Sequence, residues 1–128
     1  MPVRVYYEDT DAGGVVYHAR YLHFFERART EFLRSLAFSQ QALLTQTGLA
    51  FVVRSANLDY YLPARLDDLL TVETEIERLT GASILFKQTL KKENMVLCTA
   101  RVKIACVDLK KMKAVALPEK VKQAFLQK

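Results

Sequence analysis

The chain has 128 residues, of which 51% are apolar and 26% are charged, and its formal net charge is +5. This length and composition are typical of one globular domain with a continuous core, and they exclude an intrinsically disordered chain. No stretch approaches the ~20 consecutive apolar residues that a membrane helix needs, and the first residues lack the apolar region of a signal peptide. We therefore expect a single domain over residues 1–128, in the cytoplasm and without a transmembrane segment.

Positive charge is concentrated in the last third of the chain. Residues 87–128 contain 11 basic and 3 acidic side chains, whereas residues 1–86 contain 8 basic and 11 acidic ones. A bias of this kind favours an anionic partner, such as a nucleotide-bearing cofactor, an acidic carrier protein, nucleic acid or a membrane surface. A solvated surface that keeps the protein soluble explains it equally well.

The two cysteines, Cys98 and Cys106, lie eight residues apart within one alternating pattern. An extended segment of that length holds them too far apart for a disulfide bond. They are expected to be reduced core residues, as is usual in the cytoplasm.

The first half of the chain predicts a short strand, a polar loop and one long helix. Residues 3–7 alternate briefly and predict the strand. From about residue 19 to residue 36, apolar side chains recur at spacings of three and four, which predicts an amphipathic helix of more than four turns. Its apolar stripe consists of Tyr21, Phe25, Ala28, Phe32 and Leu36. A second, shorter helix is expected over residues 40–47, capped by Ser39 and ended by Gly48.

After Gly48 the apolar period changes from helical to two, which is typical of strands. The alternating segments are residues 51–62, 69–79, 82–90 and 96–107, and a last helical turn or two follows Pro118. One long helix and about five antiparallel strands bury their apolar faces most simply as a curved sheet wrapped around the helix, an α+β architecture. Because such a sheet leaves edge strands that need cover, pairing with a second copy is expected.

The most informative segment is residues 9–18, an acidic, glycine-containing loop that runs directly into the long helix. Two adjacent glycines, Gly13 and Gly14, carry a large entropic cost unless the backbone needs unusual angles or a close approach. The N–H groups and the dipole of a helix N-terminus can hold an anion or a polarised carbonyl oxygen. With Asp11 beside them as a general base, the segment indicates a hydrolase site. The alternative is that its acidic residues only form a turn and cap the helix.

Two longer motifs carry a family resemblance, YEDTDAGGVVYHARY at residues 7–21 and FERAR at residues 25–29. They resemble the signature of hotdog-fold thioesterases of the 4-hydroxybenzoyl-CoA thioesterase type, and more narrowly the acyl-CoA thioesterases associated with the Tol-Pal system of Gram-negative bacteria. The resemblance extends over nearly the whole chain. It implies a hotdog fold, in which a five-stranded antiparallel sheet wraps around one long central helix. It also implies hydrolysis of acyl-CoA thioesters, with a preference for short acyl chains.

The resemblance further assigns partners and residue roles. Coenzyme A is part of the substrate, so no cofactor is expected; acyl carrier protein thioesters are further candidate substrates, and the assembly is a homodimer or a homotetramer built from dimers. Asp11 takes the place of the catalytic carboxylate, which acts as a nucleophile or as a general base on water. His18 takes the position whose backbone N–H polarises the thioester carbonyl, and its ring departs from the tyrosine of the 4-hydroxybenzoyl enzyme. Tyr7 is assigned to positioning Asp11 or the substrate, and Gly14 and Tyr17 are assigned to binding the substrate.

Competing functions have weaker support in the sequence. The Gly-x-Ser-x-Gly motif of one class of serine hydrolases is absent. His18 and His23 are five residues apart, which directs them to different sides of a helix, so no metal site is expected. The main alternative is a non-enzymatic module that binds nucleic acid or an acidic partner through Lys110, Lys111 and Lys113. It lacks interleaved aromatic residues for stacking bases and leaves the acidic loop unexplained, so nucleic acid is not the expected partner.

Overall fold

The computed structural model describes residues 1–11, 13–16, 18–36, 44–45 and 47–126. Within these ranges the main sheet has five strands in the spatial order β1, β3, β4, β5, β2, and all neighbours are antiparallel. The strands are β1 (Pro2–Arg4), β2 (Leu49–Tyr60), β3 (Leu69–Leu79), β4 (Ser83–Lys92) and β5 (Met95–Asp108). The helices α1 (His18–Ser35) and α2 (Glu119–Leu126) accompany the sheet. No helix in the described ranges is both long and apolar enough to cross a membrane.

The order of elements confirms the predicted α+β architecture of one long helix followed by successive strands. β1 is shorter than the predicted segment because Tyr7–Asp9 form a 3₁₀ turn that begins the acidic loop. A two-residue strand, β6 (Lys113–Ala114), pairs with the end of β5, and the sequence does not predict it. The helix predicted over residues 40–47 lies largely outside the described residues. Gly48 has a φ of +74°, and its N–H donates to the Leu44 carbonyl at 2.9 Å, which suits a helix-ending glycine.

Helix α1 lies against the centre of the sheet. Its fully buried residues are Tyr21, Phe24, Phe25, Ala28 and Leu33. Two members of the predicted stripe, Phe32 and Leu36, are only half-buried, although they pack against the same apolar cluster. The buried surface of the helix is thus wider than one stripe, because the curved sheet contacts it from more than one side.

A buried amide joins α1 to the middle of the sheet. Gln88 on β4 is fully buried, and its Nε2 donates to the Phe25 carbonyl at 2.9 Å and to Thr74 Oγ1 at 3.0 Å. Its Oε1 accepts from Arg29 Nη1 at 3.0 Å. Burial lowers the pKa of the Arg29 guanidinium. Because both ends of the Gln88 amide are bonded, this polar group sits inside the core without the penalty of an unsatisfied donor or acceptor.

The face of the sheet that points away from α1 is polar. The exposed positions of β3 on this face are Thr71, Glu73, Glu75 and Glu77, as the alternation predicts. Cations on β4 and β5 lie opposite the acids, with N···O distances of 2.8 Å for Lys91–Glu73, 3.0 Å for Arg101–Glu77 and 4.0 Å for Lys87–Glu75. Exposed pairs of this kind contribute roughly 0–1 kcal/mol each, so they keep this face hydrated more than they stabilise the fold.

Strand β2 lies at one end of the sheet, where among the described strands it pairs only with β5. One face of β2 carries Phe51, Val53, Ala56, Leu58 and Tyr60, which stand opposite the buried Cys106, Ile104, Val102, Ala100 and Cys98 of β5. Val52 stands opposite Ala105 on the other face, because the register of β2 shifts at a bulge between Val53 and Ser55. A strict alternation over residues 51–62 would instead put Val52 on the same face as Ala56 and Leu58. Three of the five residues are exposed and two are half-buried, so this face is only partly covered within one chain.

Cys98 and Cys106 are free, buried thiols on β5, which confirms the prediction that they are reduced core residues. Burial raises the pKa of Cys98 to about 12, and it raises the pKa of Cys106 as well. Both thiols are therefore protonated at neutral pH.

Replacement of Cys98 by alanine is expected to change the alkaline stability of the protein. The folded pKa of the thiol is raised above its ordinary value of 9.0, so the unfolded chain releases this proton first as the pH rises. The stability contributed by this group is complete below about pH 9 and is lost as the pH approaches the folded pKa. Between about pH 8 and pH 10, the free energy of unfolding should fall by about 1.4 kcal/mol more in the wild type than in Cys98→Ala. Urea denaturation at both pH values measures this, and equal falls would contradict the linkage.

Candidate active site

The acidic loop is a short hairpin that ends just before α1. Thr10 and Val16 form an isolated antiparallel bridge, and the Asp11 N–H donates to the Val15 carbonyl at 2.9 Å. At the tip, the Gly14 N–H donates to the Asp11 carbonyl at 3.0 Å. Gly14 has a φ of +78°, a backbone conformation that residues with a side chain rarely adopt. This geometry explains why a glycine occupies the tip of the hairpin.

The segment that follows β2 holds this hairpin against α1. The Val16 N–H donates to the Ala64 carbonyl at 2.9 Å, and the Leu66 N–H donates to the Gly14 carbonyl at 3.1 Å. The Ala64 N–H in turn donates to the Tyr21 hydroxyl at 3.0 Å. Buried Ala64 therefore bonds the hairpin through its carbonyl and the first turns of α1 through its N–H, which fixes the two relative to each other.

Asp9 provides a second attachment between the loop and α1. Its carboxylate is buried, and Arg20 donates to Oδ1 from Nε at 3.0 Å and from Nη2 at 2.8 Å. The Tyr6 N–H donates to Oδ2 at 3.0 Å. Both carboxylate oxygens of Asp9 are thus bonded within the protein. Asp9 therefore has a structural role, as in the alternative interpretation in which the acidic residues of the loop serve only the local structure.

Asp11 is half-buried and has a different environment. Its Oδ1 accepts from the Gly13 N–H at 2.8 Å, which forms an Asx turn. Its Oδ2 has no hydrogen bond to any residue in the described part of the chain. A β-carbon on Gly13 would lie 3.3 Å from Oδ1, so this glycine permits the close approach. One carboxylate oxygen therefore organises the turn, and the other can act on a substrate or on water.

His18 is the first residue of α1, and its side chain is exposed. Its ring stacks on the ring of Tyr60, with centroids 4.3 Å apart and planes 18° apart. The Tyr60 hydroxyl donates to the His18 carbonyl at 3.4 Å. The N–H groups in the first turn of a helix have no acceptor within the helix, so this turn can donate to a carbonyl oxygen of a ligand. Sequence spacing gives no signal for the stacking partner, because 42 residues separate the two.

The remaining predicted site residues have less structural support. The Tyr7 side chain is 82% exposed, and its hydroxyl makes no hydrogen bond to Asp11 or to another described residue. Tyr7 instead shapes the loop through its carbonyl, which accepts from the Thr10 hydroxyl at 2.8 Å. Tyr17 lies outside the described residues. No group of three or more metal-ligating side chains occurs in the part of the chain that the structure describes.

An apolar groove runs along α1 from Leu22, one turn after His18. It has a volume of about 430 Å³ and lies between α1 and strands β2, β4 and β5. Its apolar lining includes Leu22, Leu33, Phe51, Val53, Phe86, Val102 and Ile104. A larger cavity of about 780 Å³ lies on the other flank of α1 against β3, and the lining of neither space includes a predicted site residue. The smaller groove comes closer to the start of α1, because its first lining residue on the helix is Leu22, whereas that of the larger cavity is Ala28.

The curved sheet, its central helix and the acidic hairpin at the helix N-terminus define a hotdog thioesterase, and the chain belongs to the thioesterase-like superfamily, which it matches over residues 5–125. It is 65% identical to acyl-CoA thioesterase YbgC of Haemophilus influenzae, over 98% of this chain and 92% of that protein. It is 56% identical to acyl-CoA thioester hydrolase YbgC of Escherichia coli O6:H1, over 98% of this chain and 94% of that protein. Among solved structures, a probable thioesterase from Bartonella henselae is 44% identical and superimposes with a TM-score of 0.87, over 92% of this chain and 97% of that chain. The resemblance to hotdog-fold acyl-CoA thioesterases, and the fold that it implies, are thereby confirmed.

The two acids of the loop should differ in their contribution to stability. Asp9→Asn removes the charge that faces Arg20 and should lower the free energy of unfolding by about 1–3 kcal/mol. Asp11→Asn keeps an oxygen that accepts from the Gly13 N–H, so it should change the free energy of unfolding by less than about 0.5 kcal/mol. Urea denaturation of the three proteins measures the difference. An equal loss of unfolding free energy in both variants would mean that the Asp9–Arg20 pair does not stabilise the fold more than the turn made by Asp11.

Proposed function

We propose that the chain is an acyl-CoA thioester hydrolase that uses Asp11 and the N-terminus of α1. The observation that supports this most directly is the double attachment of the loop to the helix. The Asp9–Arg20 pair and the bonds of Ala64 hold the Asp11 hairpin and the first turn of α1 as one unit. The relatives named above support the substrate class, because they are acyl-CoA thioesterases that match nearly the whole chain.

The chemistry needs only an activated oxygen and stabilisation of an oxyanion, because a thioester carbonyl is electrophilic and its thiolate is a good leaving group. In this proposal the carbonyl oxygen accepts a hydrogen bond at the start of α1, with the His18 N–H as the main donor. One such donor typically stabilises the transition state by about 3–4 kcal/mol. Asp11 either activates a water molecule or attacks the carbonyl carbon to form an anhydride that water then hydrolyses. In both routes the thiolate of coenzyme A leaves and water supplies the new carboxylate oxygen.

The proposed substrates are short-chain acyl-CoA thioesters. The groove that begins at Leu22 receives the acyl group, and its volume of about 430 Å³ is in the lower part of the range of roughly 300–1,000 Å³ that is usual for small-molecule sites. Coenzyme A is then part of the substrate, and the chemistry requires no resident cofactor. The exposed Lys110, Lys111 and Lys113 are candidates for contacting its phosphates or an acyl carrier protein. The reduced, buried cysteines support a cytoplasmic location.

A homodimer, alone or as half of a tetramer, is part of the proposal. Among the described strands β2 has a neighbour on one side only, and its other edge extends over 12 residues. The Val53 side chain on this strand is 54% exposed. Pairing two copies along this edge would continue the sheet and cover the groove beside it. Because His18 contacts Tyr60 at the end of the same strand, a second subunit would lie close to the helix N-terminus and complete the site.

The alternative of a non-enzymatic binding module has little support. Its main structural feature is the group of exposed lysines in the turn after β5 and at the start of β6. The relatives named above are thioesterases, and the acidic hairpin has no role in such a module. Nucleic-acid binding with a steep salt dependence, in a protein without thioesterase activity, would favour it.

Substitution of Asp11 tests the proposed chemistry. Asp11→Asn keeps the Asx turn but removes the base or nucleophile, so kcat/KM for a short-chain acyl-CoA should fall by a factor of about 10³ or more, with the fold intact. The matched control is Glu8→Gln, an exposed acid in the preceding 3₁₀ turn, which should retain near-normal activity. Thiol release measured with a panel of acyl-CoA chain lengths gives both the rate and the preferred substrate. Near-normal turnover by Asp11→Asn would remove this residue from the mechanism.

Dilution tests the contribution of a second subunit. If the site is complete only in the dimer, specific activity should fall in step with the dimer fraction as the protein is diluted through its dissociation range. Sedimentation velocity gives the dimer fraction, and the thioesterase assay is run at the same concentrations. Constant specific activity in a sample that has become monomeric would refute this part of the proposal.

A further inference from the structure

We propose that Tyr60 is a positioning residue that holds the His18 imidazole over the N-terminus of α1. This inference rests on the proposed function, in which the His18 N–H at the start of α1 polarises the thioester carbonyl, and it gives the His18 ring a part in the same step. His18 is exposed, and an exposed side chain at a helix start ordinarily samples several rotamers. A fixed contact that selects one of them therefore calls for a physical explanation.

The contact is a cluster of three rings. The planes of His18 and Tyr60 are 18° apart and their centroids 4.3 Å apart, which is a stacked arrangement. Tyr21 meets Tyr60 edge to face, with centroids 5.2 Å apart and an angle of 80°, and it meets His18 at 6.4 Å and 62°. Offset stacking and edge-to-face contacts are the favoured geometries of aromatic pairs. The imidazole is thus held between a ring of the sheet and a buried ring of its own helix.

The backbone at Tyr60 is paired within the sheet. Tyr60 is the last residue of β2 and stands opposite the buried Cys98 in the β2–β5 register. Tyr21 is fixed independently, because its hydroxyl accepts from the Ala64 N–H at 3.0 Å. Ala64 is also the residue that bonds the Asp11 hairpin. Tyr21, whose ring contacts His18, and the hairpin that contains Asp11 are therefore both bonded to Ala64.

The ring of Tyr60 should contribute more than its hydroxyl to holding the His18 imidazole in place. The hydroxyl donates to the His18 carbonyl at 3.4 Å, which is at the long end for an O–H···O bond. The stacked ring, in contrast, covers one face of the imidazole at contact distance. Tyr60→Phe keeps the ring and removes the hydroxyl, whereas Tyr60→Leu removes both. The neighbouring Tyr61 is a matched control, since it is exposed and lines a shallow cavity with Asn57, Asp59 and Arg101, away from His18.

The first measurement is spectroscopic and independent of activity. The chain contains 2 histidines, so the imidazole signals of His18 and His23 can be assigned readily in carbon–proton correlation spectra. Stacking on Tyr60 should give the His18 ring protons an upfield ring-current shift in the wild type. That shift should persist in Tyr60→Phe and Tyr61→Leu and disappear in Tyr60→Leu, with His23 unchanged. Absence of the shift in the wild type would overturn the proposal even if the enzyme is fully active.

The second measurement is kinetic. Tyr60→Leu should lower kcat for a short-chain acyl-CoA by about tenfold and leave KM within about twofold, because misplacement of a catalytic-site group affects the transition state more than substrate binding. Tyr60→Phe and Tyr61→Leu should stay within about threefold of the wild-type kcat. In a His18→Ala background, Tyr60→Leu should cause no further fall in kcat, whereas a merely structural role would give the same fall in both backgrounds.

The outcomes separate this inference from the proposed function. An unchanged kcat in Tyr60→Leu, or an equal fall in both backgrounds, would overturn the positioning role while the thioesterase assignment stands. A wild-type protein without thioesterase activity would overturn the proposed function. The contact between Tyr60 and His18 would then have no role in catalysis. If Tyr60→Leu does not fold, Tyr60→Phe combined with His18→Ala provides the test. The ring-current shift must then persist in Tyr60→Phe, and kcat must depend on His18.

Discussion

The ion pair between Asp9 and Arg20 is the interaction on which the arrangement of the site depends. The loop that carries Asp11 buries the apolar side chain of Val16 in the core and is otherwise positioned by specific bonds to neighbouring elements. Asp9 supplies one bond to α1 through two short contacts with Arg20, and Ala64 supplies the other through Val16 and Tyr21. Both attachments join the loop that carries Asp11 to the first turn of α1.

Two acidic residues of the loop that look alike in the sequence have different environments in the structure. Asp9 and Asp11 are both acids in one short motif, yet one is buried with both oxygens bonded and the other is half-buried with one oxygen free of described partners. The local turn made by Asp11 is worth about 1 kcal/mol and can be made by asparagine as well. A catalytic carboxylate is worth several kcal/mol in the transition state and has no neutral substitute. The turn and the proposed chemistry therefore make different demands on the Asp11 side chain.

The sequence predicts what local periodicity and local bonds determine. The α1 stripe, the alternation of β3 and the glycine pair of the hairpin are set by residues a few positions apart, and the structure agrees with them except that Phe32 and Leu36 of the stripe are only half-buried. The sequence predicts neither that β2 lies at the end of the sheet nor that a bulge puts Val52 on the face opposite Ala56. The contacts Tyr60–His18 and Ala64–Tyr21 join residues 42 and 43 positions apart, and they depend on how the sheet curves around the helix. No spacing rule encodes such pairs.

The burial of both cysteines has a consequence for the chemistry of the product. Hydrolysis of an acyl-CoA thioester liberates a free thiol, and a thiol can become linked to an accessible protein cysteine under oxidising conditions through a mixed disulfide. Such exchange needs an exposed thiolate, whereas Cys98 and Cys106 are buried and burial raises the pKa of each. The protein thus keeps its own sulfur atoms out of reach of the coenzyme that it would release. Its activity should be insensitive to the redox state of the surrounding thiol pool.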